Sequence, residues 1–164
     1  MNNLSFVKRI DDLGRIVIPK DIRRKLKIDE NENMEISVIN DEIILKKHSL
    51  LAENNSRIKE IGKVISEITN NDLIISDRDK IIYSSISEYE EKEISCELKD
   101  IIINRINIDN KQVKIVDDYE LKTNFIYKNI IIDSDSSGII IIFGDKIIDR
   151  DNIILDITSK LLNQ

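Results

Sequence analysis

The segment from Lys8 to Ile28 constrains the fold more than any other, because a turn signal, a strand signal and a helix signal follow one another within it. Gly14 permits a sharp turn, since a residue without Cβ adopts a positive φ at no steric cost. Residues 16–18 are all β-branched and favour a short strand. Pro19 ends that strand, because it has no N–H for a ladder, and its fixed φ suits the first position of a helix.

The helix predicted after Pro19 has an apolar side and a basic side. Ile22 and Leu26 are four residues apart, so their side chains share one face and are expected to be buried together. The other side offers a cluster of cations to whatever lies outside, and its members are Lys20, Arg23, Arg24 and Lys27.

The basic residues are concentrated at one end of an acidic chain. Residues 1–27 hold eight Lys or Arg and three Asp, a net charge of +5, whereas the whole chain carries −6. Residues 28–164 therefore carry −11. A run of cations is most often a solvated face, but this separation of charge is typical of a surface that binds a polyanion.

Five short blocks near the N-terminus follow a specific order of strand, Gly-Arg turn, strand, basic helix begun by proline, and hairpin. The blocks are Phe6-Val7-Lys8-Arg9, Asp12-Leu13-Gly14-Arg15, Val17-Ile18-Pro19, Ile22-Arg23-Arg24 and Glu42-Ile43-Ile44-Leu45-Lys46-Lys47. Together they resemble the swapped-hairpin DNA-binding domain of the AbrB-type transition-state regulators of endospore-forming bacteria. The resemblance spans nearly all of residues 4–48.

This resemblance implies an all-β barrel with a short helix, in which two copies of residues 1–50 interleave their hairpins as a dimer. It also implies that the partner is double-stranded DNA. Arginine suits that role, because its guanidinium binds a phosphate or a guanine edge with two hydrogen bonds. The residues implied to contact DNA are Lys8, Arg9, Arg15, Arg23 and Arg24, with Lys20 in second rank.

The hairpin at the end of this domain gives an independent reason to expect a dimer. Residues 34–39 and 42–46 are predicted strands joined at Asn40-Asp41, a favourable turn pair. Even with a further strand predicted at residues 4–11, about fifty residues bury a small core and are marginal alone. Two interleaved copies would double that core.

Residues 51–164 predict a second domain of the α+β class. Its predicted order of helix, two strands, helix, three strands and helix is similar to that of a GAF-type sensor domain. The first helix covers residues 51–69 and carries a heptad-like apolar stripe, which either faces the domain core or self-associates. The stripe consists of Leu51, Ile58, Ile61, Ile65 and Ile68.

The other elements of this domain follow from apolar patterns and turn signals. Asp149 is expected to cap the last helix. The first and last helices, residues 51–69 and 149–162, are expected to join dimers into a tetramer. The remaining predictions are a hairpin at 73–84, a helix at 93–107, strands at 113–116, 123–133 and 138–144, and a polar turn at 134–137.

The Ile-rich strands predict that any pocket of this domain is apolar with few hydrogen-bonding groups. Such a pocket fits a small uncharged or weakly polar effector. A domain that binds no ligand is equally compatible with the sequence.

The sequence gives little support for a catalytic site, a metal site or a membrane-spanning helix. His48 and Cys96 are the single histidine and the single cysteine, and the four glycines are too scattered for a phosphate loop. The protein is therefore predicted not to be an enzyme and to need no cofactor or metal. The longest apolar run, residues 139–143, is far shorter than the ~20 residues of a membrane helix. A cytoplasmic, nucleoid-associated protein is expected.

The leading hypothesis is a sequence-preferring DNA-binding transcription regulator of sporulation or transition-state genes, whose C-terminal domain senses a small molecule or a partner. One alternative is an antitoxin-type DNA-binding protein whose C-terminal region binds a toxin. Another is a sensor or scaffold that does not bind DNA. The length and apolar periodicity of residues 51–164 argue against an antitoxin, whose tail is usually short and disordered until bound.

Overall fold

The computed structural model describes residues 5–30, 32–108 and 112–162, and the chain divides into two compact units, Met1–His48 and Ser49–Gln164. The predicted boundary, after residue 50, lies two residues further along the chain. No helix within the described ranges is both long and apolar enough to cross a membrane.

Within residues 5–30 and 32–48, the N-terminal unit contains one helix and one hairpin. Its elements are the helix α1 (Lys20–Lys25) and the antiparallel strands β1 (Met34–Ile39) and β2 (Glu42–Lys47). Asn40 and Asp41 form the two-residue loop, with φ angles of 49° and 65°. Positive φ at both positions is the type I′ geometry that matches the twist of a hairpin, so the predicted hairpin and its turn are confirmed.

The strands predicted at residues 4–11 and 16–18 are not formed in a single chain. Residues 5–10 and 15–19 pair with no strand among the described residues, and residue 4 lies outside them. An extended segment needs a neighbouring strand for its ladder, and β1 and β2 pair with each other. The prediction is therefore wrong for one copy of the chain.

The N-terminal unit has no buried core of its own, because none of its described residues is buried. Val7, Val17 and Val38 are 98%, 74% and 71% exposed. The predicted burial of the α1 face is also wrong for one copy, since Ile22 is half-buried and Leu26 is 51% exposed. One short helix and two short strands offer too little area to enclose these side chains.

The C-terminal unit is a mixed α/β domain in which helices pack on a four-stranded sheet. In chain order its elements are α2 (Leu50–Glu53), α3 (Asn55–Thr69), β3 (Asp72–Asp77), β4 (Ile81–Ser84), a short 3-10 helix (Ser87–Tyr89), α4 (Cys96–Asn104), β5 (Val113–Val116), β6 (Tyr119–Leu121), β7 (Asn124–Ile132), β8 (Asp135–Gly144) and α5 (Asp149–Leu162). The main sheet has the antiparallel order β4–β3–β8–β7, and β5 pairs with β6 in a second sheet.

The main sheet has a hydrophobic core on each face, because successive residues of a strand point to opposite sides. Ile74 and Ile141 pack with α4 and the β5–β6 pair. Ile75 and Ile142 pack on the other face with α3 and α5. Burial on both faces explains why β3 and β8 contain continuous aliphatic runs rather than an alternating pattern.

The apolar stripe predicted on one helix of residues 51–69 lies on two helices, since Asn54 separates α2 from α3. Ile68 is exposed. The other members pack into the core of their own domain, so the stripe is mainly core rather than an outer surface. Those members are the buried Leu51, Ile58 and Ile65 and the half-buried Ile61.

Two helices of this unit begin later than predicted or are capped differently. α4 begins at Cys96 rather than at residue 93, because the Ser95 hydroxyl accepts a backbone N–H of the first turn at 3.0 Å. Asp149, the predicted cap of the last helix, is instead its first residue. The Asp151 carboxylate accepts the Ile148 N–H at 3.0 Å and takes over part of that role.

Two further differences concern the strands. β6 was not predicted, because three residues after the Asp117-Asp118 turn are too few to show an alternating pattern. The turn predicted at residues 134–137 is shorter and earlier. Asp133 and Ser134 form it, with φ angles of 51° and 70°, which is again the type I′ geometry.

Candidate nucleic-acid interface

One carboxylate organises the tight loop at residues 11–15. Asp11 Oδ1 accepts the backbone N–H groups of Leu13 at 3.1 Å and Arg15 at 2.7 Å, and its Oδ2 accepts the Arg15 Nε–H at 2.8 Å. The Asp11 N–H donates to the Arg15 carbonyl at 3.1 Å and closes the loop. Gly14 has a φ of 76° and open space where a Cβ would be, so its role is conformational rather than steric.

The hydrogen bonds of this loop favour the charged form of Asp11. The backbone N–H of Arg15, and then its guanidinium, hold the pKa of Asp11 below its ordinary value. The Arg15 side chain nevertheless stays 71% exposed. The pairing therefore restricts the orientation of the guanidinium while leaving most of the side chain accessible, as a DNA contact requires.

α1 presents its cations from a short helix with defined ends. Its first hydrogen bond runs from the Arg23 N–H to the Pro19 carbonyl at 3.0 Å. At the other end Lys27 has a φ of 52°, the Ile28 N–H donates to the Arg23 carbonyl at 2.8 Å, and the Lys27 N–H donates to the Arg24 carbonyl at 3.3 Å. These two bonds form the Schellman motif, with Lys where Gly is usual.

All six residues implied to contact DNA lie in the N-terminal unit, on three consecutive segments. Lys8 and Arg9 lie on the extended segment 5–10, where both are exposed, and Arg15 lies on the loop that Asp11 closes. α1 supplies the remaining three, which are the exposed Lys20 and Arg24 and the half-buried Arg23.

The sequence reasoning missed the role of Asp11 in this site. It assigned Asp11 to a turn, whereas the structure shows that Asp11 holds Arg15 with both carboxylate oxygens. An acid four residues before an arginine, with Gly14 between them, is the signal from which the pairing could have been found.

The basic residues of α1 also have a purely structural benefit. Arg23, Arg24 and Lys25 occupy its last turn, where the helix dipole stabilises a cation by about 0.3–1 kcal/mol. That benefit accounts for cations at the end of a helix. It does not account for Lys8 and Arg9, which precede the helix on an exposed segment.

Comparison with known proteins connects this unit to a family. The family model described as "Antidote-toxin recognition MazE, bacterial antitoxin" matches residues 7–50. The transition state regulatory protein AbrB of Bacillus subtilis (strain 168) is 46% identical over 48 residues, which are 29% of this chain and 50% of AbrB. The solution structure of the N-domain of the transcription factor abrB is 45% identical, covers 30% of this chain and 94% of that chain, and has a TM-score of 0.28.

The similarity extends well beyond the N-terminal unit. The chain belongs to the AbrB-type transition-state regulators, which confirms the resemblance seen in its sequence. Over 152 residues it is 36% identical to stage V sporulation protein T of Bacillus subtilis (strain 168), a match that covers 88% of this chain and 85% of that protein.

Proposed function

We propose that this protein is a DNA-binding transcription regulator of transition-state or sporulation genes. The observation that carries the proposal is the set of exposed cations on the extended segment 5–10, on the loop 11–15 and on α1. The chain that carries them belongs to the AbrB-type regulators. The rest of the chain is acidic, so this unit is where a polyanion binds most favourably. Such a protein would act in the cytoplasm, on the nucleoid.

We assign different contacts to two groups of cations in the site. Arg15, Arg23 and Arg24 would contact base edges or make paired phosphate contacts, because a closed loop and a capped helix fix their backbone. Phosphate contacts that set the orientation of the protein would come from Lys8, Arg9 and Lys20.

A swapped-hairpin dimer would supply the core that one N-terminal unit lacks. On one face of the hairpin, Ile36 stands opposite Leu45 and Val38 stands opposite Ile43. Ile36, Val38 and Ile43 are exposed in one chain, and burying one such side chain fully contributes about 1.5–3 kcal/mol. The unpaired extended segments before and after the Asp11 loop would find neighbouring strands in the second copy.

The C-terminal unit would act as a GAF-like sensor that also joins dimers into a tetramer. Support for the association comes from exposed apolar side chains on α3 and α5, two helices that contact each other. They replace the buried stripe as the surface through which the tetramer would form. These side chains are Val64, Ile68, Ile153, Ile157 and Leu161.

An antitoxin is the second candidate, and the description of the family model that matches residues 7–50 favours it. Against it, the C-terminal unit contains two hydrophobic clusters around a four-stranded sheet, which is a folded domain rather than a tail. A scaffold that does not bind DNA is the third candidate. A scaffold of that kind would give no role to the exposed cations Lys8, Arg9 and Arg15.

Selection of bound sequences from a random double-stranded DNA library tests the proposed function. Full-length wild-type protein should enrich a shared sequence, whereas the variant Arg23→Ala/Arg24→Ala should not. The control variant Lys63→Ala/Lys122→Ala removes the same charge from exposed positions of the C-terminal unit and should enrich the wild-type sequence. Wild-type protein that enriches no sequence would exclude a sequence-preferring regulator.

A further inference from the structure

An open cleft of about 940 Å³ lies in the C-terminal unit, between the end of α3 and the start of α5. The ends of helices and strands supply many polar groups to it. The expectation that any pocket here is apolar with few hydrogen-bonding groups is therefore wrong for this cleft. Four of its lining residues are acidic and one is basic, so it repels a polyanion such as DNA. Recognition of a DNA sequence is thus expected from the N-terminal unit.

Among the six residues implied to contact DNA, Arg15 alone is paired with an acid of the described ranges 5–30, 32–108 and 112–162. Its Nε–H donates to Asp11 Oδ2 at 2.8 Å. Its two terminal amino groups, Nη1 and Nη2, have no hydrogen-bond partner in those ranges, and the side chain is 71% exposed. Arg15 therefore presents the outer edge of its guanidinium to a ligand while Asp11 holds the inner edge.

The pairing makes Arg15 a poor contact for a phosphate. Asp11 stays charged at neutral pH, because hydrogen bonds from Arg15 lower its pKa. An approaching phosphate is attracted by Arg15 and repelled by the Asp11 carboxylate beside it, so a pair without net charge gains little from the contact. The edge of a base carries no net charge and binds through hydrogen bonds, so Asp11 does not oppose that contact.

The free edge of Arg15 matches one base. Arginine has N–H donors and no acceptor, and its terminal amino groups offer two donors side by side. In the major groove guanine presents two acceptors, O6 and N7. Adenine presents an acceptor beside a donor, thymine presents a single oxygen acceptor, and cytosine presents a donor. Guanine is thus the base with which both terminal amino groups of Arg15 can bond.

The loop also fixes the position of Arg15 before any DNA is bound. The Gly14 N–H donates to the Asp11 carbonyl at 3.0 Å, and the Asp11 N–H donates to the Arg15 carbonyl at 3.1 Å. The Arg15 N–H donates to Asp11 Oδ1 at 2.7 Å. These bonds and the Nε contact restrict both the backbone and the side chain, so less conformational freedom is lost when the guanidinium binds a base.

We propose that Arg15 binds O6 and N7 of a guanine through its terminal amino groups, once in each subunit, and that Asp11 is the positioning residue for this contact. Asp11 orients the guanidinium and weakens its attraction to phosphates. The inference rests on the proposed function, for which it names the base that this residue recognises.

Fluorescence anisotropy of the full-length protein on a selected DNA sequence tests the contact. Each guanine is replaced in turn, together with its symmetry-related copy, by another base or by 7-deazaguanine, which lacks the N7 acceptor. At one guanine the replacement by another base should weaken wild-type binding roughly 5- to 150-fold, and 7-deazaguanine should also weaken it. Arg15→Ala should be insensitive to both replacements at that position.

Lys8→Ala is the contrasting variant, because Lys8 is assigned to a phosphate. It should weaken binding by the same factor on all of these DNA sequences and keep the preference for the guanine.

The variant Asp11→Asn tests the positioning role, because it keeps the size of the side chain and removes its charge. Arg15 is then free to bind a phosphate, so the guanine preference should weaken. The slope of the logarithm of affinity against the logarithm of salt concentration should steepen by about 1.8, which is about 0.9 for each of two subunits. The matched control Asp12→Asn makes the same charge change in the same loop, at a carboxylate without a partner in the described ranges, and should keep the wild-type preference and slope.

Two results would overturn the inference. One is that no guanine replacement weakens wild type more than Arg15→Ala. The other is that Asp11→Asn and Asp12→Asn keep the same guanine preference. Either result leaves the proposed function standing as long as wild-type protein enriches a DNA sequence, whereas wild-type protein that enriches none would reject both proposals.

Discussion

At the residue scale, the proposed DNA-binding surface depends on one acidic side chain, Asp11, that orients one basic side chain, Arg15. Asp11 closes the loop and holds Arg15, and the pKa of Asp11 is lowered as a result. A lowered pKa in the folded state means that the stabilising contribution is present above the ordinary value of 3.8. The contribution is lost as the pH falls through the lower folded value, so it is present at neutral pH.

This pairing predicts an unusual response of DNA affinity to the loss of an acid. Asp11→Ala should weaken DNA binding, because Arg15 loses the carboxylate that orients it. Removing an acid from a DNA-binding surface would otherwise strengthen binding, since DNA is a polyanion. Fluorescence anisotropy with a selected DNA sequence measures the effect.

The adjacent variant Asp12→Ala is the control for charge alone, because it removes the same charge from the same loop. It should leave DNA affinity unchanged or raise it. Equal strengthening by Asp11→Ala and Asp12→Ala would show that Asp11 acts only by repulsion.

At the element scale, the local elements could be predicted from sequence and the non-local ones could not. The hairpin at Asn40-Asp41 was predictable, because its turn chemistry is contained in two residues. The pairing of residues 5–10 depends on a strand that one chain does not provide. In the candidate site, the cations were visible as a local excess of charge, whereas the contact of Asp11 with Arg15 was missed, although its signal, an acid four residues before an arginine, is also local.

The cap of α4 gives a prediction about stability. Ser95 is buried, and its hydroxyl accepts the Leu98 N–H and donates to the Lys114 carbonyl. Ser95→Ala should therefore lower the free energy of unfolding by roughly 1–2 kcal/mol. Chemical denaturation measures it, with the exposed helical variant Ser56→Ala expected to change stability by less than about 0.5 kcal/mol. Equal stability of the two variants would show that the Ser95 cap does not stabilise the domain.

The exposed side of α3 gives a prediction about assembly. Val64→Lys/Ile68→Lys should convert tetramers into dimers without unfolding, because both side chains are exposed in the isolated domain. Light scattering after size-exclusion chromatography measures the mass. The contrasting variant Ile65→Lys places a charge in the core and should instead destabilise the domain. An unchanged mass of the double variant would show that α3 does not contribute to assembly.

At the scale of the whole molecule, the two units differ in whether one chain provides them with a hydrophobic core. The C-terminal unit buries two clusters of its own hydrophobic residues. The N-terminal unit buries none of its described residues and exposes apolar side chains such as Val7 and Val38. In the proposed dimer a second copy would supply the missing core, so folding and dimerisation of this part should be one process.

A fragment of residues 1–49 should accordingly be an obligate dimer. Sedimentation equilibrium and circular dichroism, measured together across a dilution series, should show loss of structure as the dimer dissociates. The reason is that the side chains of Ile36, Val38 and Ile43 are exposed in one chain, and the proposed dimer would cover them. A folded monomer of this fragment would contradict the swapped-hairpin proposal.

The most direct test of the central claim is the salt dependence of DNA affinity, measured by fluorescence anisotropy with the full-length protein. The logarithm of the association constant should fall linearly with the logarithm of salt concentration, by about 0.9 per phosphate neutralised. If Lys8 and Lys20 each contact one phosphate in both subunits, Lys8→Ala/Lys20→Ala should reduce the slope by about 3.6. A DNA affinity that does not change between about 50 and 300 mM salt, or a slope unaltered by this variant, would contradict the account.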